Sequence, residues 1–322
     1  MSPSAPDRTH VVVVGDALID ELRDPAGSRE FVGGAALNVA VGLSLLGERT
    51  TLVAMLGDDE PAARIRAFLD GFGVPLVASP SALGTSRAVS DRSDGGEPRY
   101  EFNEAAQHRR LSFDAATRAV LADADLVVVS CFPFDDEEQV DALLVAIDDP
   151  ERRLVIDGNP RSGMLHDRER FLANFVRVAS RSLLVKAGDE DAALLAGESL
   201  ADFVERLRAS GAATDGAGGD GRVGRVGPAV LATAGRDGAS IHHGAIDVRA
   251  DIVSLPGPVI DTMGAGDATL AAVVQRIAQD GLPETSDAWT AALGAAMTIA
   301  AATVRHEGAL LRTAEETAPV AG

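Results

Sequence analysis

The sequence predicts an α/β fold, with a mostly parallel central sheet covered by helices on both faces. Three observations predict it. Apolar runs of strand length recur along the chain, and helix-period stretches separate most of them. The runs are continuous in Val, Leu and Ile rather than alternating, as expected of strands buried on both faces. Finally, 322 residues at 46% hydrophobic suffice for a large core.

Val11–Val14 followed by Gly15 reads as the first buried strand. Gly34 to Leu46 has helical period in Leu37, Ala40, Val41 and Leu45. Thr50–Met55 is a strand, Pro61–Gly71 a helix and Val74–Ala78 a short strand. Leu126–Ser130, Leu154–Asp157, Ser182–Lys186 and Ala229–Thr233 continue the series, and Ala239–His243 follows a turn. Ser86–Asp91 and Arg99–Asn103, joined by Ser93-Asp94-Gly95-Gly96-Glu97-Pro98, predict a β-hairpin projecting from the sheet. Gly211–Gly227, rich in Gly, Asp and Arg, reads as a surface loop. There is no internal repeat and no composition shift, so residues 1–322 read as one domain.

Composition narrows function. A net charge of −20 repels nucleic acid and anionic membranes. No apolar run approaches the ~20 residues of a membrane span, and the polar N-terminus lacks a signal-peptide core. The expected location is cytoplasmic. Cys131 is the only cysteine, which excludes an internal disulfide and a cysteine-rich metal site. The six histidines show no metal-ligand spacing.

The most informative segment is Asp261-Thr262-Met263-Gly264-Ala265-Gly266-Asp267-Ala268, which opens an apolar helix. Small residues allow close backbone approach, and the unpaired N–H groups of a helix start can cradle an anion. A carboxylate beside them can take a proton from an alcohol attacking a phosphoryl group. Gly-Ala-Gly-Asp alone serves equally as a turn with a helix-capping acid. The full string resembles the C-terminal signature of ribokinase-like (PfkB) carbohydrate kinases. That resemblance implies an anion hole from Gly264, Ala265 and Gly266, with Asp267 as catalytic base. A Walker-type P-loop is absent.

Phe31-Val32-Gly33-Gly34-Ala35-Ala36-Leu37-Asn38 sets paired glycines before a helix, with Asn38 in its first turns. An amide that both donates and accepts suits a polyol, or it satisfies local backbone. Gly-Gly-x-x-x-Asn-x-Ala resembles the N-terminal signature of the same family. Gly15-Asp16-Ala17-Leu18-Ile19-Asp20 is similar to the end of the family's first strand. The resemblance implies that Asp20, with Gly33, Gly34, Asn38 and Asp16, faces the sugar; a solvated loop acid is the alternative for both aspartates. It spans nearly the whole chain and implies the ribokinase-like fold with a small β lid, from segments near 17–32 and 84–108.

Weaker matches refine it. Asp157-Gly158-Asn159-Pro160-Arg161 resembles a motif of fructokinase-like and ketodeoxygluconate kinase-like members, and implies that Arg161 binds substrate. Lys186-Ala187-Gly188-Asp189-Glu190-Asp191 aligns with the family's Lys-x-Asn-x-x-Glu, but Gly188 replaces the Asn and Asp191 the Glu. Asp191 can still act on a metal through water. Thr233, Gly235 and Gly238 resemble a turn near the nucleotide phosphates, and Gly294 stands in the helix that walls the base. Lys186 joins this nucleotide-binding set. Each segment also has a plain structural reading as a turn or a packed helix.

The resemblance therefore implies phosphoryl transfer from ATP with Mg²⁺ to a hydroxyl of a free sugar, fructose or a similar ketose first. It leaves room for a monovalent cation such as K⁺ and for a homodimer. Ribose, 2-keto-3-deoxygluconate, a nucleoside and a sugar phosphate are alternative acceptors. The rival of another class is a non-catalytic sugar- or nucleotide-binding regulator on the same fold.

Overall fold

The computed structural model describes residues 8–25, 27–91, 99–147, 153–211 and 227–313. The strands are β1 (His10–Gly15), β2 (Leu18–Asp24), β3 (Gly27–Gly33), β4 (Arg49–Leu56), β5 (Leu76–Pro80), β6 (Ser86–Asp91), β7 (Arg99–Phe102), β8 (Leu126–Ser130), β9 (Arg153–Asp157), β10 (Leu184–Gly188), β11 (Ala229–Thr233), β12 (Ala239–His243) and β13 (Ile246–Ala250). The helices are α1 (Ala35–Leu45), α2 (Glu60–Gly71), α3 (Glu104–Gln107), α4 (Ala115–Ala122), α5 (Glu137–Ala146), α6 (Arg168–Ala179), α7 (Asp189–Ala196), α8 (Leu200–Ser210), α9 (Ala265–Asp280) and α10 (Ser286–Thr303).

Nine strands form the main sheet in the order β13-β12-β11-β10-β9-β8-β1-β4-β5. Every pair from β5 to β11 is parallel; β12 and β13 close one edge antiparallel. The strands are apolar throughout because both faces are covered. Along β1, Val11 and Val13 join the core formed with α1, α2, α9 and α10, around Leu37, Ile65, Leu270 and Trp289. Val12 and Val14 point the other way, into the core with α4 to α8 around Leu121, Val140, Phe171 and Phe203. Among the described residues, no helix is long and apolar enough to cross a membrane.

The second sheet has the order β3-β2-β6-β7. The predicted hairpin, β6 with β7, pairs antiparallel as expected, and its turn lies outside the described residues. It does not stand alone. β6 runs parallel to β2, which pairs antiparallel with β3. Asp20 is therefore in the second sheet, two residues into a new strand, rather than at the end of the first. Asp20, Glu21, Arg23 and Asp24 make β2 polar beyond Ile19, and from Asp20 onward the strand is only partly buried, unlike the strands of the main sheet. Most of Gly211–Gly227, read as a surface loop, also falls outside the described residues.

Two strands are displaced from their expected bounds. β5 runs to Pro80; it is an edge strand, where a missing N–H costs no ladder bond. β10 begins at Leu184 because Ser182 still closes the end of α6, its N–H on the Ala179 carbonyl at 2.9 Å and its hydroxyl on that of Val178 at 3.0 Å. β13 has no sequence signal as strong as its neighbours, and pairing with β12 forms it.

The approach of β1 to β8 and α1 depends on a missing side chain. A Cβ at Gly15 would lie 1.8 Å from the Ser130 carbonyl oxygen and 2.7 Å from the Ala36 Cβ. Gly15→Ala should cost on the order of 3 kcal/mol, as overpacking against fixed backbone does. At Gly71, the last residue of α2, a Cβ would meet nothing within 4 Å. Gly71→Ala should instead add about 0.5 kcal/mol by restricting the unfolded chain. Urea-denaturation midpoints of the two variants should move in opposite directions.

Candidate active site

Parallel strands in register all leave the sheet at one edge, and the site is built there. Gly15 of β1 is level with Ser130 of β8, which is level with Asp157 of β9, which is level with Lys186 of β10. Gly188 of β10 is in turn level with Thr233 of β11. The side chains that the sequence singles out near positions 16, 157, 186 and 233 thus emerge along one line. Two non-glycine residues there have positive φ, Cys131 at 51° and Asn159 at 40°, and they are the only two among the described residues. Such backbone concentrates at functional sites.

At one end, Asp16 is buried and organises α1. Its Oδ1 accepts the Ala36 N–H at 3.0 Å and its carbonyl accepts the Leu37 N–H at 3.2 Å. Part of Asp16, read from the sequence as a sugar ligand, is thus engaged with backbone. Gly34 has φ 111°, and a Cβ on it would lie 2.9 Å from the Asp16 carbonyl oxygen. A Cβ on Gly33 would lie 2.2 Å from Asp20 Oδ2. The paired glycines therefore let the Asp20 carboxylate lie against bare backbone. Burial, with the nearby Asp16 charge, pushes the Asp20 carboxyl up to about 7, against the pull of Arg161.

Asn38 and Asp267, 229 residues apart, meet in a hydrogen bond: Asn38 Nδ2 donates to Asp267 Oδ2 at 2.9 Å. This bond joins the two signature segments. Asp267 is half-buried in the first turn of α9, and burial pushes its carboxyl up to about 6 despite the Asn38 bond and the charges of Lys186 and Arg161. The amide that was read as a sugar ligand is thus partly occupied in holding the candidate base.

The start of α9 has no side-chain cap. Gly264 stands in the left-handed region at φ 77°, and a Cβ on it would lie 2.3 Å from the Ala309 carbonyl oxygen. Asp261 pins this turn, accepting the Met263 N–H at 3.0 Å and the Gly308 N–H at 3.2 Å. The Ala265 N–H reaches Thr262 O only at 3.4 Å, and the Gly266 and Asp267 N–H groups belong to a first turn with no intrahelical acceptor. Amides of this kind at a helix start can cradle an anion. Lys186 approaches them closely: a Cβ on Gly266 would be 3.4 Å from Lys186 Cε and 3.6 Å from its Nζ.

Lys186 is buried and bridges to Asp157 Oδ1 at 3.0 Å, while Ser130 Oγ donates to Asp157 Oδ2 at 3.4 Å. Asp191, also buried, accepts the Gly188 N–H on Oδ2 at 2.7 Å. Burial pushes its carboxyl up to about 6, with Lys186 pulling it down. No group of three His, Cys, Asp or Glu side chains among the described residues makes a metal cage. One acidic side chain beside the α9 amides still suits Mg²⁺, which commonly keeps its waters and binds through one or two carboxylates and a substrate's phosphates. Bound there, Mg²⁺ would offset charge on the phosphate oxygens.

The remaining nucleotide candidates are less concentrated. Thr233 Oγ1 would lie 3.5 Å from a Cβ on Gly188, so it borders the Asp191 turn. Gly235 has φ 48° in an open turn. Gly238 has a structural reason to be glycine, since a Cβ would lie 2.2 Å from the Ala250 carbonyl oxygen. Gly294 lies on α10, where a Cβ would meet nothing within 4 Å, so that stretch of helix is open. Two polar residues of the hairpin are engaged within the protein: Arg87 pairs with Glu21 and Glu30, and Asn103 caps α3 and donates to the Thr85 carbonyl at 2.9 Å. Arg109, which carries no sequence signal, enters the site: its Nε donates to the Cys131 carbonyl at 3.3 Å, and its charge acts on Asp16.

Comparison with known proteins identifies the family. The model of the pfkB family carbohydrate kinase matches residues 8–316. A fructokinase of Klebsiella pneumoniae is 25% identical over 308 residues, covering 92% of this chain and 94% of that protein. An acarbose 7(IV)-phosphotransferase of Actinoplanes sp. (strain ATCC 31044 / CBS 674.73 / SE50/110) is 30% identical over 287 residues, covering 81% and 83%. Among solved structures, a fructokinase from Vibrio cholerae O395 superposes with a TM-score of 0.76 at 19% identity, covering 95% of this chain and 96% of that one. The aminoimidazole riboside kinase from Salmonella enterica superposes at 0.74 and 19% identity, covering 94% and 95%. The family match takes in both signature segments and every strand that carries the site, so this chain belongs to the pfkB family and is a carbohydrate kinase.

Proposed function

We propose that the protein transfers the γ-phosphoryl group of ATP to a hydroxyl of a free ketose, fructose first. The observation that carries this reading is the Asn38–Asp267 hydrogen bond. It sets a half-buried carboxylate, with a carboxyl near 6, between the Asp16–Asp20 end and the α9 amide cradle. A base with that affinity is ionised at neutral pH yet basic enough to accept a proton in the transition state. Fructose is favoured by the fructokinase relatives and by the Vibrio cholerae structure, which contains fructose, ADP and potassium ion.

In this reading the acceptor lies against Asp20, Gly33, Gly34 and Asn38, with its reacting hydroxyl on Asp267. Gly264, Ala265 and Gly266 present backbone to the phosphoryl oxygens, where fixed N–H dipoles are worth more than in water. Lys186, Thr233, Gly235, Gly238 and the open face at Gly294 serve the nucleotide. Asp191 would hold Mg²⁺, which would offset charge on the phosphate oxygens, and the reading leaves room for a monovalent cation such as K⁺. The small sheet closes over the acceptor and keeps water from taking the phosphoryl group. The relative that is an acarbose phosphotransferase adds one larger acceptor, acarbose itself, to those worth assaying.

The test is ATP consumption over a panel of fructose, ribose, 2-keto-3-deoxygluconate, nucleosides, sugar phosphates and acarbose. Asp267→Asn should lower kcat by roughly 10²–10⁴-fold with ATP affinity retained; near-normal turnover would exclude Asp267 as the base. Asn38→Ala or Asp20→Ala should weaken sugar affinity in calorimetry well beyond ATP affinity, because each strands a polar partner.

The pH dependence follows from the same carboxyl. Asp267 acts as a base only when ionised, so kcat/KM should fall about tenfold per pH unit below about 6. Asn38 donates to the ionised form and lowers this affinity; Asn38→Ala should therefore move the acid limb to higher pH. Stability should run the other way. The folded Asp20 carboxyl, raised to about 7, binds its proton more tightly than in the unfolded chain. Its contribution is complete below about 4 and is lost as pH rises through 7. Asp20→Asn should flatten the corresponding slope in thermal melting of the ligand-free protein between pH 4 and 7.

A further inference from the structure

Among the described residues, Arg161 is the one cation of the site that its own protein leaves unpaired. Lys186 is bound to Asp157, and Arg109 donates to the Cys131 and Ala106 carbonyls. The Arg161 guanidinium has no hydrogen bond and no ion pair among the described residues, and the residue is exposed. Yet Asp16, Asp20, Asp191 and Asp267 all feel its charge. It therefore sits among four carboxylates, beyond ion-pair distance from each. Two belong to the acceptor end, one is the candidate base and one lies at the metal end.

Backbone fixes this position. β9 ends at the fully buried Asp157, and the chain turns through Asn159, itself buried, at φ 40°. The Arg161 carbonyl then accepts the Met164 N–H at 2.9 Å and starts a short 3₁₀ turn. Positive φ at a residue other than glycine gathers at functional sites, and here it sets the turn that carries Arg161.

We propose that Arg161 binds the phosphoryl group in flight rather than a sugar hydroxyl. The inference rests on the kinase reading above. The acceptor oxygen forms a bond to the γ-phosphorus as the bond from that phosphorus to the β-bridging oxygen breaks. The electron pair of the broken bond leaves on ADP, and the hydroxyl proton passes to Asp267. Arg161 stays protonated throughout. Its planar fork spans two equatorial oxygens of the transferring group, whose charge spreads over all three. The carboxylates around it keep the guanidinium central until the phosphoryl oxygens, closer and bidentate, replace them as partners.

The test separates kcat from KM on the panel sugar with the highest turnover. Arg161→Gln should lower kcat by roughly 10²–10³-fold, the scale of one lost transition-state donor, while the KM for sugar and for ATP stays within about threefold. The same variant should lose its affinity for ADP with magnesium, aluminium fluoride and sugar, a mimic of the transferring phosphoryl group, but keep ATP affinity. Guanidinium ion added to Arg161→Ala should restore part of kcat. If Arg161→Gln fails to fold, Arg161→Lys keeps the charge; it should still lose at least about tenfold in kcat, because a point charge does not bridge two oxygens. A sugar KM that rises with kcat intact, or an unchanged kcat in Arg161→Lys, overturns the proposal. Full kcat in the glutamine variant of an active enzyme overturns this inference alone, whereas a wild type that consumes no ATP with any panel sugar overturns it together with the acceptor reading.

Discussion

Because β1, β8, β9, β10 and β11 run parallel and in register, five chemically distinct segments leave the sheet along a single edge, and the site follows from that alignment. The alignment is tight. Gly15 lies so close to Ser130 that no side chain fits, and the Cys131 N–H still reaches the Asp157 carbonyl at 3.3 Å beyond the last ladder pair. A parallel sheet needs both faces covered, and the two cores provide that cover. Its carboxyl edge is left as the place where polar groups can gather without crossing a hydrophobic layer.

Those polar groups are gathered at an electrostatic cost. Asp16, Asp20, Asp157, Asp191 and Asp267 share the edge with Lys186, Arg109 and Arg161. Burial raises the carboxyls of Asp16, Asp20, Asp191 and Asp267 above their ordinary range, which is the signature of charge deprived of water. Of these groups, only Asp157 and Lys186 form a close ion pair among the described residues. The others are held by backbone amides or by Asn38, or stand clear of a close partner, so they are available to hydroxyls, phosphate oxygens and a metal. Perturbed groups facing a cleft mark functional sites for this reason.

The glycines show how a motif acquires its physical meaning. From sequence, Gly33-Gly34 and Gly264-Ala265-Gly266 permit close approach but do not say of what. In the fold, Gly33 receives the Asp20 carboxylate, Gly34 passes the Asp16 carbonyl, Gly264 passes the Ala309 carbonyl and Gly266 faces Lys186. Asp261, a residue of the signature with no evident chemistry of its own, ties the tail at Gly308 to the α9 turn. Substitution anywhere in these strings would disturb a contact made by a residue far away in the chain.

The sequence by itself determined the class of fold, the order of most strands and helices, and the two signature segments, because burial on both faces and the helical period are local patterns. It also singled out Asp267 and the small residues before it, by their resemblance to a family signature, as a candidate phosphate-handling unit. Only the tertiary structure decided that Asn38 holds Asp267, that Asp16 is partly engaged with α1, that β2 and β3 join the hairpin in a second sheet, and that Arg109 enters the site. Arg87 and Asn103 were legible as polar hairpin residues, yet what they bond to depends on Glu21, Glu30 and Thr85 in other segments. The physical reason is common to all of these. Hydrogen-bond partners and desolvation are set by what the chain brings together over separations such as the 229 residues between Asn38 and Asp267, and local periodicity carries no record of them.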